Sequence, residues 1–197
     1  MKSTLALVLL LTGCGVFGGG APVTEPLPEV TAADTDGVPA LRLRWSGGQA
    51  TALLVQQNGE TRLWRSQGGV VVQTDGARVM ATAGLPDWLA GTRLEGPDPL
   101  EDPVALARRP AVLRRLVDLM EQDRDPQAMR FGLVLNCRLQ AAPEGVALLV
   151  TERCHGPGAR FTNRYWADPA SGGIWRSEQW VGDGAMLQLE VVTPPSS

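Results

Sequence analysis

Few side chains in this 197-residue sequence have both the type and the spacing that chemistry requires. There is one histidine, His155, directly after Cys154. Neighbouring residues of a strand point to opposite faces, so these two cannot work there as a thiolate–imidazole pair. A metal site would need further ligands beside them, and a serine–histidine–aspartate triad could be drawn only by choosing partners at will. His155, followed by Gly156-Pro157, reads as a surface loop residue. The carboxylates of Glu101-Asp102 and of the stretch Glu121 to Asp125 fall in loops and at element ends. Their spacing selects no pair held at the fixed separation that acid–base catalysis needs, and the glycines match no phosphate-binding loop. The expectation is a protein that is not an enzyme and uses neither metal nor cofactor.

Chemistry of another kind is written into the first fourteen residues. Lys2 provides a positive start and Leu5 to Leu11 an apolar run, too short to span a bilayer as a helix. Leu11-Thr12-Gly13-Cys14 then resembles the lipobox of bacterial lipoproteins. In such proteins a peptidase cuts before the cysteine, which carries the lipid. Two or more acyl chains give stable attachment where one binds marginally. The reading is a lipoprotein signal peptide over residues 1–13, lipidated Cys14 and a Gly/Pro-rich tether over 14–39. Gly15 in place of Asp, by resemblance to lipoprotein sorting rules, favours the outer membrane, with the body facing the periplasm.

Export to an oxidising compartment leaves Cys137 and Cys154 as an even pair, the composition of a disulfide. A hairpin turning at residues 143–144 would put Cys137 opposite residue 149 or 150, so the bridge needs a bulge, a bend or a turn nearer residue 146. Two free buried thiols are the alternative. Six tryptophans are unusual beside one tyrosine and three phenylalanines. Indoles suit core packing or stacking on sugar rings. Trp88, in a Pro-rich loop, is the expected exposed one, with Trp64, Trp166 and Trp175 as further candidates for glycan or partner contact. The run Arg108-Arg109 with Arg114-Arg115 reads as a solvated helix face, with anion contact as its alternative. A net charge of −3 argues against a nucleic-acid partner.

The elements that must position these residues are mainly strands. Alternation starts at Leu41 and recurs to Val192, with Asn58-Gly59 and Asp75-Gly76 as type I′ hairpin signals. Residues 84–103 hold four prolines and read as irregular loops. Asp102-Pro103 resembles a helix start, and residues 110–122 place Val112, Leu113, Leu116, Val117, Leu119 and Met120 on one helical face. The expected fold is a single mainly β domain over residues 40–193, with a tail at 194–197. It would be an antiparallel meander of about nine or ten strands, forming a barrel, half-barrel or sandwich with one main amphipathic helix.

Two stretches carry a family resemblance. One runs from Leu63-Trp64-Arg65-Ser66 through Thr74-Asp75-Gly76-Ala77-Arg78 to Thr82-Ala83-Gly84-Leu85. The other holds Tyr165-Trp166-Ala167-Asp168 and Trp175-Arg176-Ser177-Glu178-Gln179. Together with the lipobox they resemble the YjbF/GfcB lipoproteins, encoded with genes for exopolysaccharide and group 4 capsule production. The resemblance spans residues 40–192 apart from the Pro-rich loop. It implies a non-enzymatic accessory factor in polysaccharide assembly or secretion. Its implied partners are the membrane through its lipid, envelope proteins of polysaccharide export, and polysaccharide. The competing expectation is a periplasmic lipid or lipoprotein carrier, which an apolar cavity of several hundred Å³ would favour.

Metabolic labelling with palmitate tests the anchor. Wild type should take up label and the Cys14→Ala chain should not; equal labelling of both would contradict the lipobox reading.

Overall fold

A computed structural model describes residues 35–121, 125, 127 and 129–195. The signal peptide, Cys14 and most of the tether, together with Glu121's side chain and the last two residues of the tail, lie outside the described residues. Twelve strands are present: β1 Ala40–Trp45, β2 Gly48–Asn58, β3 Thr61–Ser66, β4 Val71–Asp75, β5 Arg78–Ala83, β6 Asp87–Glu95, β7 Ala111–Glu121, β8 Arg130–Glu144, β9 Ala147–Gly156, β10 Ala159–Ala167, β11 Ile174–Gly182 and β12 Ala185–Thr193. They form one sheet in the order β5-β4-β3-β2-β1-β12-β11-β10-β9-β8-β7-β6. No α-helix occurs among the described residues.

The order is a meander whose first and last strands pair, so the two edges, β5 and β6, are consecutive in the chain. Sheet curvature brings these edges together into a barrel-like form. Exposed strand edges are open templates for unwanted pairing, and here side chains occupy them. The Leu89 N–H donates to Thr82 Oγ1 at 3.1 Å across the seam. Gln179, reaching from β11, accepts from Val79 N–H at 2.9 Å and donates to the Ala77 carbonyl at 2.8 Å. Leu41, Leu43, Leu187, Leu189, Leu135 and Leu139 fill the interior from alternate positions of their strands.

The meander and most strand positions agree with the sequence expectation, whereas the helix does not exist. Residues 111–121 are β7, with Leu113, Arg115, Val117 and Leu119 buried. In an apolar-rich segment the helical and alternating templates overlap. What concealed the alternation was Arg115, a charged residue on the inward face. The expected loop at 84–103 also contains a strand, β6, bracketed by Pro86 and Pro97 rather than interrupted by them. Only short 3-10 turns form around Asp102-Pro103, not an α-helix: Asp98 caps the first, accepting from Leu100 N–H at 3.0 Å, and Asp102, at the end of that turn, accepts from Ala105 N–H at 2.9 Å ahead of the second. These two gained strands account for twelve where nine or ten were expected.

Hairpin chemistry differs in one further respect. Asn58 and Asp75 are the last strand residues, and the loops are Gly59-Glu60 and Gly76-Ala77. Only the glycines have positive φ, 60° and 52°, so glycine stands at the first central position as in a type II′ turn, and the type I′ assignment is corrected. The β8–β9 hairpin turns likewise at Gly145-Val146, since Glu144 pairs with Ala147. That turn lies beyond residues 143–144, and it puts Cys137 opposite Cys154 in register, Cα atoms 4.1 Å apart, joined as a disulfide.

Closing a loop of this size with a disulfide contributes roughly 3 kcal/mol on the chain-entropy model. The double variant Cys137→Ala/Cys154→Ala should lower the urea midpoint accordingly; an unchanged midpoint would show that the bridge adds nothing.

Candidate functional site

A pocket of about 510 Å³ opens at one end of the barrel, where β3 and the β4–β5 turn face the β10–β11 turn. Strand alternation builds its walls. Arg62 and Trp64 point inward from β3, Trp175 and Ser177 from β11, Leu41 from β1 and Leu189 from β12. Trp64 is 2% exposed, and its indole N–H donates to Thr74 Oγ1 at 3.1 Å, which fixes the ring as a wall. Trp175 is the accessible indole, 38% exposed.

Polar groups sit at the rim. Arg62 Nη2 lies 3.1 Å from the Glu60 carboxylate, while its Nε has no hydrogen-bond partner. Because Glu60 is largely exposed, that pair is screened and contributes little to stability. Asp168 is committed to its own turn. Its Oδ1 accepts from Ala170 N–H, Ser171 N–H and Ser171 Oγ–H at 3.0, 2.7 and 2.9 Å. The backbone and hydroxyl bonds from Ser171 hold its pKa below the ordinary aspartate value. Thr35 Oγ1 and Thr193 Oγ1 share a 2.9 Å hydrogen bond beside Pro194 and Pro195, which also line the pocket, so the tether joins the domain at this rim.

Deeper in the barrel lies a charged cluster that the sequence reading did not find. Arg78, fully buried on β5, meets Asp98 through Nε and Nη2 at 2.6 and 2.9 Å. Its Nη1 reaches both oxygens of buried Glu152 on β9, at 2.9 and 3.1 Å. Glu152 Oε2 also accepts from Asn163 Nδ2 at 2.6 Å and lies 3.2 Å from the Tyr165 hydroxyl. Burial is the largest influence on each group, and the balance differs from one to the next. It opposes ionisation of Glu152, but Arg78, Arg115 and the Asn163 bond outweigh it and keep the pKa below the usual glutamate value. For Arg78 the facing carboxylates of Glu152 and Asp98 likewise outweigh burial, and its pKa rises. Burial lowers the pKa of Arg115; the Glu152 charge, not in direct contact, opposes this without overcoming it, and the repulsion of Arg78 adds to the lowering. Burial and the Glu152 charge raise that of Tyr165.

Arg115 is only 2% exposed, with Nε and Nη2 unbonded and its guanidinium 5.4 Å from the Phe161 ring. Phe161 in turn stacks on Trp180 at 4.4 Å. The solvated helix face proposed for the arginine run is therefore corrected: Arg108, Arg109 and Arg114 are exposed, whereas Arg115 is interior. The signal that could have revealed this cluster is charge inside an otherwise apolar file, as in Leu113-x-Arg115-x-Val117 and Leu148-x-Val150-x-Glu152-x-Cys154.

The structure brings two of the four candidate tryptophans together, Trp64 and Trp175. Trp166 lies outside the pocket, its N–H donating to Glu144 Oε1 at 2.9 Å and its ring 4.7 Å from the Arg176 guanidinium. Trp88 is half-buried on β6, bonded through its N–H to the Leu85 carbonyl at 2.5 Å, so its placement in an exposed loop is corrected. His155 is exposed, on β9 rather than in a loop, and Cys154 beside it is buried. Among the described residues, Cys137, Glu152 and Cys154 offer atoms close enough to hold a metal. The two sulfurs are bonded to each other and Glu152 is engaged by Arg78 and Asn163, so the set has no free donor.

Comparison with known proteins bears on this geometry. The family model described as "Group 4 capsule polysaccharide lipoprotein gfcB, YjbF" matches residues 25–192. Among solved structures, the hypothetical lipoprotein YmcC from Escherichia coli K12 is similar in fold, with a TM-score of 0.67 at 20% identity, covering 81% of this chain and 86% of that one. No curated protein matches the chain.

Because the folded-state pKa of Glu152 is depressed, its contribution to stability is complete above the ordinary glutamate value of about 4.3 and is lost as pH falls from there through the folded value. Glu152→Gln removes one of the two carboxylates that pair with buried Arg78, and the charge nearest to offsetting Arg115, and should cost roughly 3–5 kcal/mol at pH 7. Thermal unfolding from pH 7 to pH 3 should then fall less steeply in the variant than in wild type; parallel curves would contradict this role for Glu152.

Proposed function

We propose that this chain, which belongs to the YjbF family of group 4 capsule polysaccharide lipoproteins, is an outer-membrane, periplasm-facing accessory factor in exopolysaccharide or capsule secretion, acting without catalysis. The observation that carries the reading is the family match over residues 25–192, nearly the whole described domain. The site is compatible with it. The pocket presents one accessible indole and a rim with both donors and acceptors, which suits a glycan or a peptide segment of an export protein. Its carboxylates are committed elsewhere, Asp168 to its own turn and Glu60 to Arg62, and neither is set up as an acid–base partner of the other. The lipobox at Cys14 supplies the attachment to the membrane.

A second reading, a carrier of lipid or of another lipoprotein, is favoured by one observation: Leu41, Leu100, Ile174, Leu189 and Val191 make much of the pocket wall apolar. It is limited by the charged cluster that fills the barrel beyond the pocket, which leaves an acyl chain no long apolar channel.

A clean deletion, scored for secreted or surface polysaccharide, tests the first reading. Output should fall, wild-type chain should restore it, and Cys14→Ala should fail to. Unaltered polysaccharide in the deletion strain would overturn the reading.

A further inference from the structure

The outer face of β7 to β10 is basic on a protein whose net charge is −3. Pairing register places the residues in cross-strand rows. One row reads Val112, Arg138, Arg153, Thr162; the next reads Arg114, Asn136, His155, Arg160; a third ends on Gln140, Thr151, Arg164. All five arginines are exposed. Arg114 is paired with Glu95 and Arg164 with Glu178, both carboxylates standing on strands outside this group of rows. Arg138, Arg153 and Arg160 make no ion pair among the described residues. Arg138 and Arg153 face each other directly across the β8–β9 ladder, with His155 two residues along. Like charges directly opposite in an antiparallel pair destabilise it. The free protein therefore bears a repulsion that an anion laid across the rows would turn into attraction.

We propose that this face docks an acidic polysaccharide chain. Charge complementarity selects a polyanion. The residues between the arginines select a polysaccharide over a lipid surface: apart from Val112 they are Asn136, Gln140, Thr151, His155 and Thr162, which exchange hydrogen bonds with sugar hydroxyls. A face that lies in a bilayer interface interleaves its basic residues with large apolar ones. Neighbouring strands are about 4.8 Å apart, so Arg138 and Arg153 stand side by side on β8 and β9, while Arg160, opposite His155 on β10, continues the positive face diagonally into the next row. This surface is separate from the pocket, whose walls come from β1, β3, β11 and β12.

The inference rests on the capsule reading, and the two fail separately: polysaccharide output in the deletion strain tests that reading, and binding by the purified chain tests this face. The full lipidated chain in non-ionic micelles is titrated with polygalacturonate, with uncharged dextran, and with polygalacturonate in the presence of phosphatidylglycerol. Polygalacturonate should bind, weakening as salt rises, and dextran should not. Arg153→Glu should lower the affinity at least tenfold while its Tm stays at or above the wild-type value, because a repulsive cross-strand pair becomes an attractive one. Arg44→Gln, an exposed arginine on β1, should leave binding unchanged. No binding of polygalacturonate, equal binding by Arg153→Glu, or displacement by an equal charge of phosphatidylglycerol would overturn the proposal, the last by making the face a membrane contact.

Discussion

The fold depends on the buried guanidinium of Arg78. The backbone ladder runs without a break from β5 to β6 the long way round and leaves these two edges unpaired with each other. Arg78 joins what the ladder leaves apart. It stands on β5, grips Asp98 in the segment after β6, and reaches across the interior to Glu152 on β9. A buried ion pair is poor evidence of net stability, since desolvation can offset the Coulomb gain. Its value here lies in direction: a guanidinium with fixed fork geometry, flanked by Asn163, Tyr165 and Gln179, permits one closure of the sheet.

That closure divides the interior. On one side of the charged cluster the Leu and Trp files continue to the mouth and leave a pocket; Arg115 packs against Phe161 and Phe161 on Trp180, which with Leu119, Leu133 and Ala159 lines a second, smaller pocket of about 320 Å³. The chain enters and leaves the domain at the pocket's rim, where Thr35 meets Thr193. The basic outer face of β8 to β10 lies on the wall of the barrel, to one side of the mouth.

Most of this architecture was legible in the sequence because solvent-facing antiparallel strands alternate and glycine marks their turns. β3 and the strands from β8 to β12 follow from those signals to within a few residues, the end of β8 excepted: it runs on to Glu144 because its turn lies at Gly145-Val146. What misled was charge placed inside. Arg115 broke the alternation of β7 and made a helix the better template, while Glu152 and Arg78 were not singled out on strands otherwise recognised as such. Trp64 and Trp175 were singled out for the right chemical reason, but only register could say that they share a pocket while Trp166 and Trp88 do not. The basic face was invisible for the same reason: Arg138, Arg153 and Arg160 are separated in sequence and meet only when β8 to β10 pair in a register fixed by the turn at Gly145.

Native-state amide hydrogen exchange in an Arg78→Gln chain tests the closure most directly. If Arg78 holds the seam, the amides of β5 and β6, among them Val79 and Leu89, lose protection far more than those of β9, whose ladder partners on both sides remain. Protection at β5 and β6 equal to that of the wild-type chain would contradict the account.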